Sequence, residues 1–291
     1  MPDDVFGPAF MRKLELLEIV FRRLKSGRDT GEKSGRERGG RIEFREHRRY
    51  APGDDYRTID WNVYGRTDAL FVKEHVREER RTVTVLLDCS LSMGFGRPAK
   101  FTRGIELAAA FAYLALVGGD EAKIVGFSEK VLTSVSVAGP KSRITEIFHA
   151  LRGLKPQGAT DINRALKELA SNTRRSLVVL VSDLMSEDSR RSLQLLNARG
   201  YEPCVIQLLS RDEAIPRHTG RLRLKDSETG EVRRLWAEGP ELEYYRVILH
   251  QFIESWKTFC TAHGIAFISA LTGQPFEELA LGYLRRGGLL R

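Results

Sequence analysis

The chain is poor in the residues that most chemistry needs. Of its 291 residues only three are cysteine, Cys89, Cys204 and Cys260, far apart and with no Cys-x-x-Cys pair. That spacing argues against a disulfide framework or a zinc site and fits reduced, buried thiols in a cytoplasmic protein. The six histidines are His47, His75, His149, His218, His250 and His263. None falls in a loop expected to carry a ligand, so no Ser–His–Asp or Cys–His arrangement emerges. A Gly-x-x-x-x-Gly-Lys phosphate loop is also missing. No signal peptide is visible. The longest apolar run, about Leu107 to Val117, is too short to cross a bilayer and ends at Gly118-Gly119-Asp120. The expectation is a cytoplasmic protein with no transmembrane segment that is not an enzyme.

Charge is present but uneven. The formal net charge is +8, and between Arg22 and Arg49 eleven Lys or Arg stand against five Asp or Glu. The surplus is therefore concentrated in one segment, not spread over a basic surface. Arg36-Glu-Arg-Gly-Gly-Arg41 could touch nucleic-acid phosphates. Its interleaved glutamate favours a solvated or partner-facing loop, and no nucleic acid is expected. Hydrophobic residues make up 42% of the chain, enough for an ordinary core.

The most informative stretch is Thr82-Val-Thr-Val-Leu-Leu-Asp88-Cys-Ser90-Leu-Ser92-Met93. An apolar β-branched run ends in a carboxylate, two hydroxyls follow at alternate positions, and Gly94 and Gly96 come next. A buried strand whose carboxyl end opens into a crevice reads this way. Asp-x-Ser-x-Ser offers three hard oxygens, which suit Mg²⁺ or Mn²⁺ better than a soft metal. Alone the motif is weak, because serine and aspartate are ordinary loop and cap residues. Two later segments strengthen it. Gly158-Ala159-Thr160-Asp161 opens a helical pattern, and Leu177-Val-Val-Leu-Val-Ser-Asp183 is a second apolar strand ending in Asp. In a doubly wound sheet the carboxyl ends of parallel strands share one edge. Asp88, Ser90, Ser92, Thr160 and Asp183 could then converge on one ion.

Taken in order, residues 1–40 hold an amphipathic helix, Pro8–Lys25, with Phe10, Leu14, Leu17, Ile19, Val20 and Leu24 at helical spacing. A polar, flexible loop, Ser26–Gly40, follows. Residues 41–81 read as two or three short strands joined by a Pro52-Gly53 turn, too few to fold far from a partner surface. From Thr82 onward strands and helices alternate, which argues for a mostly parallel sheet flanked by helices, an α/β doubly wound domain over 82–291. An insertion, residues 220–237, reads as a β-hairpin. With the 41–81 strands it is expected to form a small accessory β subdomain. Asp54, Asp55 and Asp60 could suggest a second metal site, but fit a turn and pairs with Arg57, Arg66 or Arg49 better. Met93 and Phe95 fit either a partner contact or the core.

Several of these segments together resemble a known family. Gly40-Arg-Ile-Glu-Phe44-Arg-Glu-His-Arg-Arg49-Tyr50-Ala-Pro52-Gly53-Asp54-Asp55-Tyr-Arg57-Thr-Ile-Asp60-Trp61 looks like the signature of the domain of unknown function 58 family. So do Asp88-x-Ser90-x-Ser92-Met93, Ser182-Asp183 and Leu224-x-Asp226-x-Glu228-Thr229-Gly230. The resemblance runs from about Gly40 to the C-terminus. It implies a fold like von Willebrand factor A domains, with a metal-ion-dependent adhesion site. It also implies Ser90, Ser92 and Thr160 as direct ligands, with Asp88 and Asp183 acting directly or through water. Members are commonly associated with MoxR-type AAA+ ATPases as partners or adaptors, and many carry N-terminal membrane spans. This chain has an amphipathic helix there instead.

The function expected from this is a Mg²⁺-dependent protein-docking module that receives a Glu or Asp from an AAA+ ATPase or its client. A metal-dependent hydrolase using the same ion, and nucleic-acid binding through Arg22–Arg49, are the alternatives.

Overall fold

The computed structural model describes residues 5–29, 42–52, 54–56, 59–77, 81–170, 176–186, 189–216 and 218–285. The chain divides into two compact units, one of Met1–Leu24 with Arg81–Arg291 and one of Lys25–Arg80. It opens with helix α1 (Pro8–Asp29). Phe10, Leu14, Leu17 and Phe21 form its buried stripe, whereas Ile19 is half exposed. The expected stripe was therefore off by one side. Phe21, not Ile19, continues the i, i+4, i+7 line from Phe10, Leu14 and Leu17.

The smaller unit contains β1 (Ile42–Arg49), α2 (Trp61–Thr67) and β2 (Phe71–Arg77), with β1 and β2 antiparallel and bulged between Phe44 and Glu46. A helix stands where the sequence suggested only strands. Asp60 causes it: its carboxylate accepts the N–H groups of Asn62 and Val63, and capping of this kind outweighs the strand preference of Trp, Val and Tyr. Asp68, in the left-handed conformation, ends the helix. Asp54 accepts the N–H of Ala51. Asp54 and Asp60 thus serve a turn and a cap. The expected flexible loop lies outside the described residues from position 30 to 40, and α1 occupies its first four positions.

The larger unit alternates as expected. β3 (Thr82–Asp88) leads through a short 3₁₀ turn (Leu91–Gly94) to α3 (Lys100–Gly118). β4 (Glu121–Phe127) and β5 (Val131–Val137) form a hairpin, followed by α4 (Ile144–Gly153) and α5 (Ile162–Ala170). Then come β6 (Ser176–Ser182), α6 (Arg190–Ala198), β7 (Glu202–Leu209) and the single turn α7 (Arg211–Ala214). A second hairpin, β8 (Gly220–Lys225) and β9 (Val232–Ala237), precedes α8 (Gly239–Ala262), β10 (Ala266–Leu271) and α9 (Phe276–Arg285).

Six strands make one sheet in the order β10-β7-β6-β3-β4-β5, parallel except for β5. Numbered within the sheet this is the 3-2-1-4-5-6 order of a doubly wound fold, whose switch point lies where the winding direction reverses, beside β3. Both faces are covered. Val83, Val85 and Leu87 of β3 join the core beneath α1, α3, α4 and α9, and Leu86 joins the core beneath α5, α6 and α8. Two covered faces explain why β3, β6 and β7 read as continuous apolar runs without alternation.

The accessory β subdomain is not a single sheet. β8 and β9 pair with each other, and β1 and β2 form a separate two-stranded sheet. Arg221, Arg223, Lys225, Arg233 and Arg234 are exposed along the hairpin, and charged strands of this kind resist edge-to-edge pairing. Among the described residues α3 is long and apolar enough to cross a membrane, but 78% of that window is buried. Every residue from Leu107 to Leu116 is buried, so α3 is the central core helix of this unit.

One buried carboxylate ties α1 to the domain. Glu18 accepts hydrogen bonds from Tyr113 Oη (2.5 Å), Lys141 Nζ (2.8 and 3.0 Å) and Arg22 Nε (3.0 Å). Burial alone would raise its pKa. The bonds from Lys141, Tyr113 and Arg22 outweigh burial and hold it below the ordinary 4.5. The stability it supplies is therefore complete above about pH 4.5 and is lost as pH falls through the lowered value. Glu18→Gln is expected to cost about 1–3 kcal/mol at pH 7 in urea denaturation, a difference that shrinks at pH 3.

Candidate metal centre

Asp88 ends β3 and is fully buried. Its Oδ1 accepts the N–H of Ser90 (2.9 Å) and its Oδ2 accepts the hydroxyl of Ser182 (2.6 Å). The Ser90 and Ser92 hydroxyls lie 3.0 Å apart in the turn that follows. That turn is knitted to its neighbours by backbone. Cys89 donates to Phe127 O, Leu91 to Gly158 O, and Gln157 to Cys89 O. Gly158 has a φ of +66°, a conformation that favours glycine. Asp161 starts α5 by accepting the N–H of Arg164 (2.8 Å). Between Gly158 and Asp161, Thr160 is held with its hydroxyl 3.3 and 3.4 Å from the two oxygens of Asp88.

Asp183 follows β6, the strand beside β3, and is likewise buried. Leu184 comes next with a φ of 61°, uncommon for leucine and costing of order 1–3 kcal/mol. The turn so formed lets Met185 N–H reach Asp183 Oδ1 (3.1 Å). Asp183 Oδ2 accepts Lys100 Nζ at 2.7 Å, and Lys100 also reaches Glu213 Oε1 at 2.5 Å. Glu213 is fixed in turn by a reciprocal capping box with Ser210.

Sequence reasoning missed three groups here, Lys100, Glu213 and Glu228. Glu228, at the tip of the β8–β9 hairpin, accepts the hydroxyl of Thr160 at Oε1 (3.1 Å) and its N–H at Oε2 (3.2 Å). The only sequence signal for Glu228 was its place in the Leu224-to-Gly230 motif. Lys100 carried no sequence signal of its own, since Arg103 and Glu106 share the first turns of α3 with it. Met93 is fully buried and Phe95 half exposed, so only Phe95 can serve a partner.

The electrostatics point one way. Burial and then the negative charge of Asp183 push Asp88 up to about 6, against hydrogen bonds that lower it. For Lys100 burial would lower the pKa, but Asp183 and Glu213 raise it above 10.5, so the ammonium is charged. One buried cation thus serves two carboxylates, and among the described residues no Lys or Arg is paired with Asp88. A divalent ion beside Asp88 would reverse the penalty on its charged form. Among the described residues no group of three His, Cys, Asp or Glu is placed to hold a metal. The available donors are Asp88 and the hydroxyls of Ser90, Ser92 and Thr160, all hard oxygens, and they fit Mg²⁺ or Mn²⁺.

The family model described as "Protein of unknown function DUF58" matches residues 46–242. The chain belongs to this family. Uncharacterized proteins of Mycobacterium bovis and Mycobacterium tuberculosis are 28% identical to this DUF58 chain over 238 residues, covering 79% of it and 74% of their own length. Among solved structures it is similar to the conserved hypothetical protein BatB from Bacteroides thetaiotaomicron, at 11% identity and a TM-score of 0.45 over 71% of this chain and 98% of that one. The SpRpn10 VWA domain is similar at 9% identity and a TM-score of 0.38, over 69% and 94% of the two chains. In the DUF58 chain the candidate residues Asp88, Ser90, Ser92, Thr160 and Asp183 all fall within the span matched by the family model.

Proposed function

We propose that this DUF58 protein is a non-catalytic docking module. In this reading Asp88 and the hydroxyls of Ser90, Ser92 and Thr160 hold Mg²⁺, Asp183, whose oxygens accept Lys100 Nζ and the Met185 N–H, acts through water, and the ion receives a Glu or Asp side chain from a protein partner. The observation that carries it is the meeting of Asp88, Ser90, Ser92 and Thr160, from two separate loops, at the switch point of the sheet. Mg²⁺ prefers six oxygens and readily keeps water, so a protein set of this size leaves room for an outside carboxylate. Attraction between the ion and that carboxylate is strengthened where the site excludes water. The family resemblance supplies the partner class: a MoxR-type AAA+ ATPase or its client, met in the cytoplasm.

The test is capture of a purified MoxR-type ATPase on the immobilised chain with Mg²⁺ or with chelator. Retention is expected with Mg²⁺ only, and Ser90→Ala together with Ser92→Ala should reduce it at least about tenfold. Retention indifferent to both would refute the docking reading. Metal-dependent hydrolysis of a phosphoester or peptide by the purified chain would favour the hydrolase.

A further inference from the structure

The β8–β9 hairpin brings a carboxylate of the chain itself to this site, and its tip is built to do so. Asp226 Oδ1 accepts the N–H groups of Glu228 (2.8 Å) and Thr229 (2.7 Å), and Asp226 O accepts the N–H of Gly230 (3.1 Å). Gly230 has a φ of +74°, which closes the turn. Thr229 Oγ1 accepts the N–H of Glu231 (3.2 Å). Backbone bonds from Thr229 and Glu228 hold the Asp226 carboxyl below its ordinary value. The turn is thereby fixed, and Glu228 extends from it to clamp Thr160 at both N–H and hydroxyl.

This contact makes little sense as a simple hairpin anchor. The Thr160 hydroxyl has one proton, and it lies within reach of both Glu228 and Asp88. Two anions therefore compete for one donor. The buried cation nearby, Lys100, is already shared between Asp183 and Glu213. Among the described residues no Lys or Arg is paired with Glu228. Bringing a further carboxylate next to buried Asp88 is unfavourable unless a cation sits between them.

We infer that Glu228 is an internal carboxylate for the metal centre, occupying the place of a partner's acidic side chain, so that docking exchanges one carboxylate for another. The inference rests on the metal reading above. It assigns the hairpin a role: a tethered competitor that sets how acidic and how close a partner must be. A tethered group acts at high effective concentration, so a partner with a lone weak carboxylate is rejected.

Mn²⁺ titration of the full chain, read by electron paramagnetic resonance for affinity and by water-proton relaxation for exchangeable metal-bound water, tests this directly. Wild type is compared with Glu228→Gln, Asp226→Ala and Asp88→Asn. Glu228→Gln is expected to weaken Mn²⁺ binding about tenfold and to increase the exchangeable water. Asp226→Ala, which loosens the tip but keeps Glu228, should shift both in the same direction by less. A purely structural hairpin would not alter the water count. Equal affinity and equal relaxation in wild type and Glu228→Gln, with Asp88→Asn inactive, would overturn the internal carboxylate alone. Failure of wild type to bind Mn²⁺ would overturn the metal reading and this inference with it.

Discussion

Lys100→Met is expected to destabilise the larger unit by about 3–5 kcal/mol, the range for removing one partner of a buried ion pair. Lys100 and Asp183 are each almost wholly buried, and Glu213 is mostly so. Without the ammonium, Asp183 and Glu213 lose their counter-charge, and Asp88 already suffers from the charge on Asp183. Methionine replaces the aliphatic stem, so lost packing is a small part of the effect. The fall should appear as a lower urea midpoint followed by circular dichroism. Adding Asp183→Asn to Lys100→Met should recover part of the loss, because the unpaired charge is then removed. A loss under about 1 kcal/mol would mean that Lys100 is not the counter-ion its geometry describes.

Asp88→Asn should leave the metal-free protein as stable as wild type or slightly more so, and should lose the stabilisation that added metal gives. The substitution keeps the shape and keeps an acceptor for the Ser90 N–H, while removing a buried charge whose ionised form is penalised by burial and by Asp183. Metal-free stability should therefore be unchanged or slightly higher. Wild type, if it binds Mg²⁺, gains about 2.7 kcal/mol at a hundredfold excess over the dissociation constant. Asp88→Asn should gain almost none of this. Thermal denaturation with and without Mg²⁺ separates the two states, and an equal Mg²⁺ shift in both proteins would count against the site.

The parts of the molecule that could be read from sequence are those fixed by local pattern. β3 was bounded at Thr82 and Asp88 because an apolar run and a terminal carboxylate mark both ends. Ser90 and Ser92 sit in the same loop, and Thr160 is legible from the helix start that Gly158-Ala159-Thr160-Asp161 marks. Helix α2 was missed because its residues favour strands and its cause is a single cap, Asp60. Lys100, Glu213 and Glu228 were missed for a different reason. Lys100 meets Asp183 across 83 residues of chain and Glu213 across 113, and Glu228 meets Thr160 across 68. No spacing rule links groups so far apart, and only the winding of the sheet brings them to one edge. Ile19 was misplaced because a helix with several apolar faces leaves the buried one undecided until the rings that Phe10 meets, Phe148 and Phe276, are known.

Anomalous diffraction from a crystal of the full chain soaked in Mn²⁺ decides whether an ion sits at the carboxyl end of β3. One strong peak enclosed by Asp88, Ser90, Ser92 and Thr160 is expected, and its disappearance in Asp88→Asn. A peak elsewhere, or none beside these residues at saturating Mn²⁺, would contradict a metal site there.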